Sequence, residues 1–207
     1  MKDFFLDYYK NMPLYKIILE FLVFIFGILS VWFAKKENIW VYPTGLIATI
    51  ITTYLFFDAE YYGDMTVNGY FTIMSIYGWY KWAKKDAFNE ELPMSRTSNN
   101  EKIIGVVLFI ITIFVVFGIY SFFGKEIKGD NYVDIFLSGI FFTGMWYMAR
   151  KKIENWTLWI IGDFIAVPLY AYRGFGMLSL QYIIFTLLAI FAYLQWRKIL
   201  NNRLQAQ

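Results

Sequence analysis

Polar side chains and aromatic rings share helical faces in three apolar stretches of this sequence. The residues concerned are Asn68, Thr72 and Trp79; Asn155, Trp159 and Asp163; and Gln181, Tyr182 and Phe185. In the first two sets, spacings of four and seven residues place the side chains on one face of a helix. Amide and carboxylate groups form hydrogen bonds and aromatic rings stack, so these faces are typical of a binding site for a flat, polar ligand.

Catalysis has little support in the residue types. The sequence contains no cysteine and no histidine, which excludes disulfides, thiolate nucleophiles, imidazole bases and the usual zinc sites. Glu20 and Asp163 are the two ionisable residues that we place inside apolar stretches, and they lie at different depths. We therefore predict that the protein is not an enzyme and has no catalytic residue, metal site or cofactor.

Two of the candidate residues also have structural interpretations. Asn155 could cap the N-terminus of its helix instead of contacting a ligand. Asp163 could accept a hydrogen bond from a buried Trp or Tyr, attract a cationic substrate, or carry a proton. The sequence leaves these alternatives open.

The composition indicates a protein that contacts lipid. Of 207 residues, 59% are hydrophobic and only 17% are charged, whereas soluble domains average about 45–50% and about 25%. The net charge of +3 is too small to indicate a nucleic-acid partner. We therefore predict an all-α integral membrane protein whose surroundings are the lipid bilayer.

Seven stretches are apolar and long enough to cross a bilayer, which requires about 20 residues per helix. They are Tyr15–Phe33, Trp40–Phe57, Met65–Trp82, Ile103–Phe122, Tyr132–Met148, Trp156–Tyr172 and Met177–Trp196. Thirteen of the 19 lysines and arginines fall on one side of these spans, so the positive-inside rule puts the N-terminus outside and the C-terminus in the cytoplasm.

The chain also repeats itself. KKENIW at 35–40 is similar to KKIENW at 151–156, and an offset of 117 residues places Glu37 on Glu154, Asn38 on Asn155 and Tyr42 on Trp159. One helix later, an offset of 114 places Asn68 on Tyr182 and Trp82 on Trp196. Spans one to three and five to seven therefore read as two parallel three-helix repeats joined by a linker helix, an arrangement found in transporters with a substrate site between the repeats.

These features divide the chain into five predicted segments. They are an interfacial N-terminal segment (1–13), a first three-helix bundle (14–85), a cytoplasmic loop with the linker helix (86–130), a second three-helix bundle (131–198) and a cytoplasmic tail (199–207).

Several motifs resemble the PnuC-type vitamin transporter family. They are Tyr77-Gly78-Trp79-Tyr80-Lys81-Trp82 at the end of the third span, Asn155 through Trp159 with Asp163 in the sixth, Leu169-Tyr170 and Gly174 after it, and Gln181-Tyr182 through Ala189 to Trp196 in the seventh. The resemblance covers residues from about 15 to 198. It implies a three-plus-one-plus-three fold related to the SWEET sugar carriers.

The resemblance also implies a function. It indicates facilitated uptake of a small aromatic vitamin or vitamin precursor, with nicotinamide riboside as the first candidate, across a bacterial inner membrane and by a possible homotrimer. Asn68 and Ala192 depart from the family pattern, where Gln and Gly are expected. Thiamine, riboflavin or a deoxynucleoside therefore stays open as the substrate, and so does proton-coupled instead of facilitative transport.

Overall fold

The computed structural model is all-helical and describes residues 12–84, 92–124, 126–127, 129–173 and 176–205. Its seven helices are α1 (Leu14–Lys35), α2 (Val41–Asp58), α3 (Tyr62–Ala83), α4 (Asn99–Phe122), α5 (Gly129–Ala149), α6 (Glu154–Tyr172) and α7 (Gly176–Gln205). The all-α prediction is confirmed. Most of the interfacial segment predicted at 1–13 lies outside the described residues, as does Gly174 of the family motif.

Five of the seven helices are long and apolar enough to cross a membrane: α1, α2, α4, α5 and α7. The two that fall short are α3 and α6, which carry Asn68 and Asp163. This difference has a physical reason, because both helices direct polar groups towards the protein interior, where lipid does not contact them. The coarser prediction of a multi-pass membrane protein is confirmed.

Local chemistry explains where several helices begin and end. At the start of α4, the Ser98 hydroxyl accepts a hydrogen bond from Glu101 N (3.3 Å), and the Glu101 carboxylate accepts one from Ser98 N (2.8 Å). This reciprocal pair satisfies two backbone donors at the helix terminus. The turns after α1 and α5 both contain a residue in the left-handed region, Glu37 (φ 54°) and Lys151 (φ 50°).

One offset of 114 residues relates the bounds of α1–α3 to those of α5–α7. Helix ends at 35, 58 and 62 correspond to those at 149, 172 and 176. The turns agree, since Asn38 N donates to Phe33 O and Lys152 N donates to Tyr147 O, each at 2.9 Å. The offset of 117 predicted for this segment is therefore wrong: it aligned Asn38 with Asn155, whereas the hydrogen bonds of the turns align Asn38 with Lys152.

The helices pack in a pattern that follows the same correspondence. Within each set, consecutive helices are neighbours: α1 packs on α2 and α2 on α3, and likewise α5 packs on α6 and α6 on α7. Between the sets, α1 packs on α7 and α3 packs on α5. Helix α4 packs mainly on α5. Six helices therefore surround a common interior, and α4 lies beside it.

Candidate functional site

A cavity of about 180 Å³ lies between the two sets of three helices. Residues of α1, α2, α3, α5, α6 and α7 line it, whereas no described residue of α4 does. Its lining is predominantly apolar, with a few polar side chains, which is the usual make-up of a small-molecule site.

Aromatic rings form much of one wall. Trp159 lies 5.5 Å from Phe71 at a steep angle and 5.5 Å from Phe141 in a stacked arrangement, measured between ring centroids. Tyr182 stacks on Phe141 at 6.3 Å and meets Phe185 edge-on at 6.0 Å. These rings come from four helices, so the wall depends on how both sets of helices pack.

Gly162 allows this wall to form. A Cβ atom at position 162 would lie 2.4 Å from the Phe141 ring, closer than any real contact. The missing side chain therefore lets Phe141 reach α6 and stack on Trp159. A glycine in the middle of a helix usually weakens it, so its presence here has a packing reason.

Two polar side chains face the cavity without a partner. Asp163 and Gln181 are only 3% and 5% exposed, both line the cavity, and neither forms a hydrogen bond or ion pair with another described residue. Gln181 lies against α1, where its Nε2 would be 2.9 Å from a Cβ at Gly27. Buried polar groups are ordinarily paired, so these two are available to a ligand.

Asn68 adds a third polar group. Its Nδ2 donates to the Asp64 backbone carbonyl at 2.9 Å, one turn earlier in α3. The half-buried side chain lines the cavity, and its amide oxygen is the part left to accept a further hydrogen bond.

The structure brings six of the nine sequence-predicted site residues to this cavity. They are Asn68, Trp159, Asp163, Gln181, Tyr182 and Phe185.

The remaining three predicted residues, Thr72, Trp79 and Asn155, do not line the cavity. Thr72 donates to Thr49 Oγ1 at 2.9 Å and to the Asn68 carbonyl at 3.0 Å. Trp79 is 41% exposed on the outside of α3. Asn155 is fully buried in the first turn of α6, where its amide donates to the Lys152 carbonyl. The capping interpretation is wrong, because the N-cap is Ile153 and no described side chain caps this helix.

A second group of ionisable residues lines the cavity near the ends of α3 and α6, and the sequence reasoning missed it. Our expectation that Glu20 and Asp163 are the two ionisable residues within spans is wrong, since Asp134 lies inside α5 and is 3% exposed. Asp64, one residue before the predicted span Met65–Trp82, is buried in the first turn of α3. The sequence did contain a signal for this group, because Asp134 lies inside the predicted fifth span, Tyr132–Met148.

This group joins the two halves of the protein. Arg173 contacts Asp64 at 3.4 Å through Nη1 and Asp130 at 2.9 Å through Nε. Tyr170 donates to the other oxygen of Asp64, and Tyr120 donates to Asp134 at 2.9 Å. Asp64 belongs to α3, whereas the residues that bind it belong to α6 and the turn that follows.

Arg173 keeps its charge in this setting. Burial on its own would lower the pKa of the guanidinium, but the facing carboxylates, Asp64 above all, raise that pKa above its ordinary value. The result is a stable cation among carboxylates at one end of the cavity, with the aromatic wall and Asp163 further in.

At the opposite end, Tyr42 and Trp156 line the cavity, and each packs edge-on against a buried tryptophan, Trp82 and Trp196 respectively. The Lys151 ammonium lies 4.5 Å from the centroid of the Trp82 ring, and Lys151 is only 3% exposed. The segment before α4 crosses here, where Ser95 N donates to Lys151 O at 3.1 Å and Ile153 N donates to Ser95 O at 3.0 Å. Contacts between the two halves thus lie at both ends of the cavity.

Comparison with known proteins gives a consistent result. A family model described as "Nicotinamide mononucleotide transporter" matches residues 17–198. The nicotinamide riboside transporter PnuC of Escherichia coli (strain K12) is 27% identical over 194 residues, which cover 82% of this chain and 81% of that protein. The riboflavin/roseoflavin transporter RibM of Streptomyces davaonensis is 22% identical over 181 residues, 83% of this chain and 81% of the relative.

A solved structure shares the fold. The crystal structure of the vitamin B3 transporter PnuC superposes with a TM-score of 0.73 at 21% identity, over 89% of this chain and 82% of that one. The likeness extends over all but about a tenth of this chain.

Proposed function

Because this chain belongs to the nicotinamide mononucleotide transporter family, we propose that it carries a small aromatic vitamin or vitamin precursor across the membrane by facilitated uptake. Nicotinamide riboside is the first candidate, since the Escherichia coli relative is named for it. The observation that carries the proposal is the cavity between the helix sets, where an aromatic wall adjoins Asp163 and Gln181, two buried polar side chains with no partner among the described residues.

The proposed substrate lies inside this cavity. Its planar ring stacks on Trp159 and the neighbouring rings Phe71, Phe141 and Tyr182, which are already arranged to present a broad apolar face. The amides of Asn68 and Gln181 bind its hydroxyl or carboxamide groups. A site of this kind rejects analogues that lack those groups, because its own buried amides would then be left unpaired.

We propose that α1–α3 and α5–α7 are parallel repeats with α4 as the linker between them. The common offset of 114 residues, the equivalent packing of α1 on α7 and α3 on α5, and the absence of described α4 residues from the cavity lining support this arrangement. Transport then proceeds as the two bundles rock about the substrate and open the cavity to alternate sides. This is carrier activity, with no chemical change to the substrate.

Riboflavin is the second candidate substrate, because RibM is named as a riboflavin and roseoflavin transporter. Thiamine and deoxynucleosides complete the set that the sequence resemblance leaves open. A binding panel tests the proposal: purified protein in detergent is titrated calorimetrically with nicotinamide riboside, thiamine, riboflavin and a deoxynucleoside. We expect nicotinamide riboside to bind most tightly. Absence of binding to all four compounds would contradict the proposed function.

The membrane placement is also a proposal. The resemblance favours a bacterial inner membrane and a homotrimer, and the lysine and arginine distribution favours an N-terminus outside and a C-terminus inside. A fluorescent reporter that matures only in the cytoplasm should be active when fused to the C-terminus and inactive at the N-terminus. The opposite pattern would reverse the orientation.

A further inference from the structure

The carboxylates of the cavity differ in their surroundings. Asp64 accepts hydrogen bonds from Tyr170 and Arg173, and Asp134 accepts one from Tyr120. Asp163 lines the same cavity and is as deeply buried, yet it has no hydrogen-bond or ion-pair partner within the described ranges. No lysine or arginine belongs to the lining either, as far as the structure describes it.

An isolated buried carboxylate has a large energetic cost. Transfer of a single charge into a protein interior costs several kcal/mol unless an opposite charge or strong hydrogen bonds compensate it. Such groups inside membrane proteins therefore mark places where a partner binds. Asp163 lines the cavity, so a ligand in the cavity is in position to be that partner.

The adjoining aromatic wall favours the same kind of ligand. Trp159, Phe141 and Tyr182 lie within one connected group of rings, with centroid separations of 5.5 and 6.3 Å. The faces of such rings attract cations, and this attraction increases when water is excluded. A planar cation would satisfy both the rings and the carboxylate, whereas a neutral ring of the same size would satisfy only the rings.

We propose that Asp163 is the residue that makes this cavity select positively charged planar rings over neutral ones. The proposal rests on the proposed function, since it concerns the same cavity. It divides the open substrates into two classes: nicotinamide riboside and thiamine carry a cationic ring, whereas riboflavin and deoxynucleosides carry neutral rings.

A ligand pair that differs in ring charge tests the proposal directly. Nicotinamide riboside and its reduced dihydropyridine form have the same ribose and carboxamide groups, but only the first has a cationic ring. Their dissociation constants are measured calorimetrically for wild-type protein and for Asp163→Asn, which keeps the size of the side chain and removes its charge. Asp58→Asn at the end of α2 is the matched control, because it makes the same change on the protein surface.

We expect the wild-type protein and Asp58→Asn to bind the cationic form at least tenfold more tightly than the neutral form. Asp163→Asn should lose at least tenfold in affinity for the cation and change its affinity for the neutral form less than threefold. Equal wild-type affinity for both forms would overturn the proposal, even if the variant failed to fold. An unchanged preference in folded Asp163→Asn, or an equal loss for both ligands, would also overturn it. Binding of neither form by wild-type protein would instead contradict nicotinamide riboside as the substrate, which the four-compound panel tests separately.

Discussion

Tyr42 meets Trp82 edge-on, with ring centroids 5.2 Å apart and ring planes at 86°. The same contact occurs 114 residues later, where Trp156 meets Trp196 at 5.5 Å and 87°. All four residues are almost fully buried. In each half, an aromatic pair of the same geometry therefore holds the start of the second helix against the third helix.

Gly78 makes the first of these pairs possible, and adding a side chain there should destabilise the protein. A Cβ at position 78 would lie 2.4–2.5 Å from the Tyr42 ring. We expect Gly78→Ala to lower the free energy of unfolding by about 1–3 kcal/mol, as is usual when a core is overpacked. Thermal unfolding in detergent measures the effect. Gly69→Ala in the same helix is the control, since its new Cβ would have no atom within 4 Å. Equal melting temperatures of the two variants would contradict this packing.

The Arg173 network should contribute to stability because it joins the two halves. In Arg173→Gln, the buried Asp64 carboxylate loses its opposite charge, which typically costs about 3–5 kcal/mol. We expect a clear drop in melting temperature. Lys16→Gln breaks the more exposed pair with Asp58 and should leave the melting temperature nearly unchanged. If the two variants melted alike, the buried network would not be a stabilising link.

The two tryptophans that the sequence placed on polar faces should behave differently. Trp159 lines the cavity, whereas Trp79 is 41% exposed outside it. We expect Trp159→Ala to weaken nicotinamide riboside binding at least about tenfold, a loss of about 1.4 kcal/mol or more, and Trp79→Ala to change it little. Calorimetric titration of both folded variants decides this. Equal losses would mean that the ligand does not stack on Trp159.

Asn68 should affect binding without affecting folding. Asn68→Leu removes the amide from the cavity but leaves an apolar side chain that suits a membrane helix. We expect weaker binding with an unchanged melting temperature. Retained affinity, with folded protein confirmed by size-exclusion chromatography, would exclude a contact between this amide and the ligand.

The helices were predictable because a run of about 20 apolar residues has few other structures available to it. The face of each site helix was predictable as well, but depth and neighbours were not. Trp79 points to nearly the same side of α3 as Asn68. It lies one turn beyond Ser75, however, and Ser75 is the last residue of α3 that lines the cavity. Thr72 points slightly to one side of Asn68 on the helix, and its hydroxyl donates a hydrogen bond to Thr49 of α2 instead of lining the cavity.

The Arg173 network could not be predicted from spacing. Arg173 and Asp64 are 109 residues apart, and they meet only because α3 and α6 both border one end of the cavity. Helical periodicity describes a single element, so it contains no information on which elements become neighbours. The predicted repeat gave part of that information, but its register at the turns after α1 and α5 became clear only from their hydrogen bonds.

Uptake of labelled nicotinamide riboside into proteoliposomes tests the central claim most directly. We predict that wild-type protein equilibrates the compound across the membrane, that a protonophore leaves this uptake unchanged, and that Trp159→Ala abolishes most of it while Trp79→Ala does not. Uptake no greater than in protein-free liposomes, or full uptake by folded Trp159→Ala, would contradict transport through this cavity.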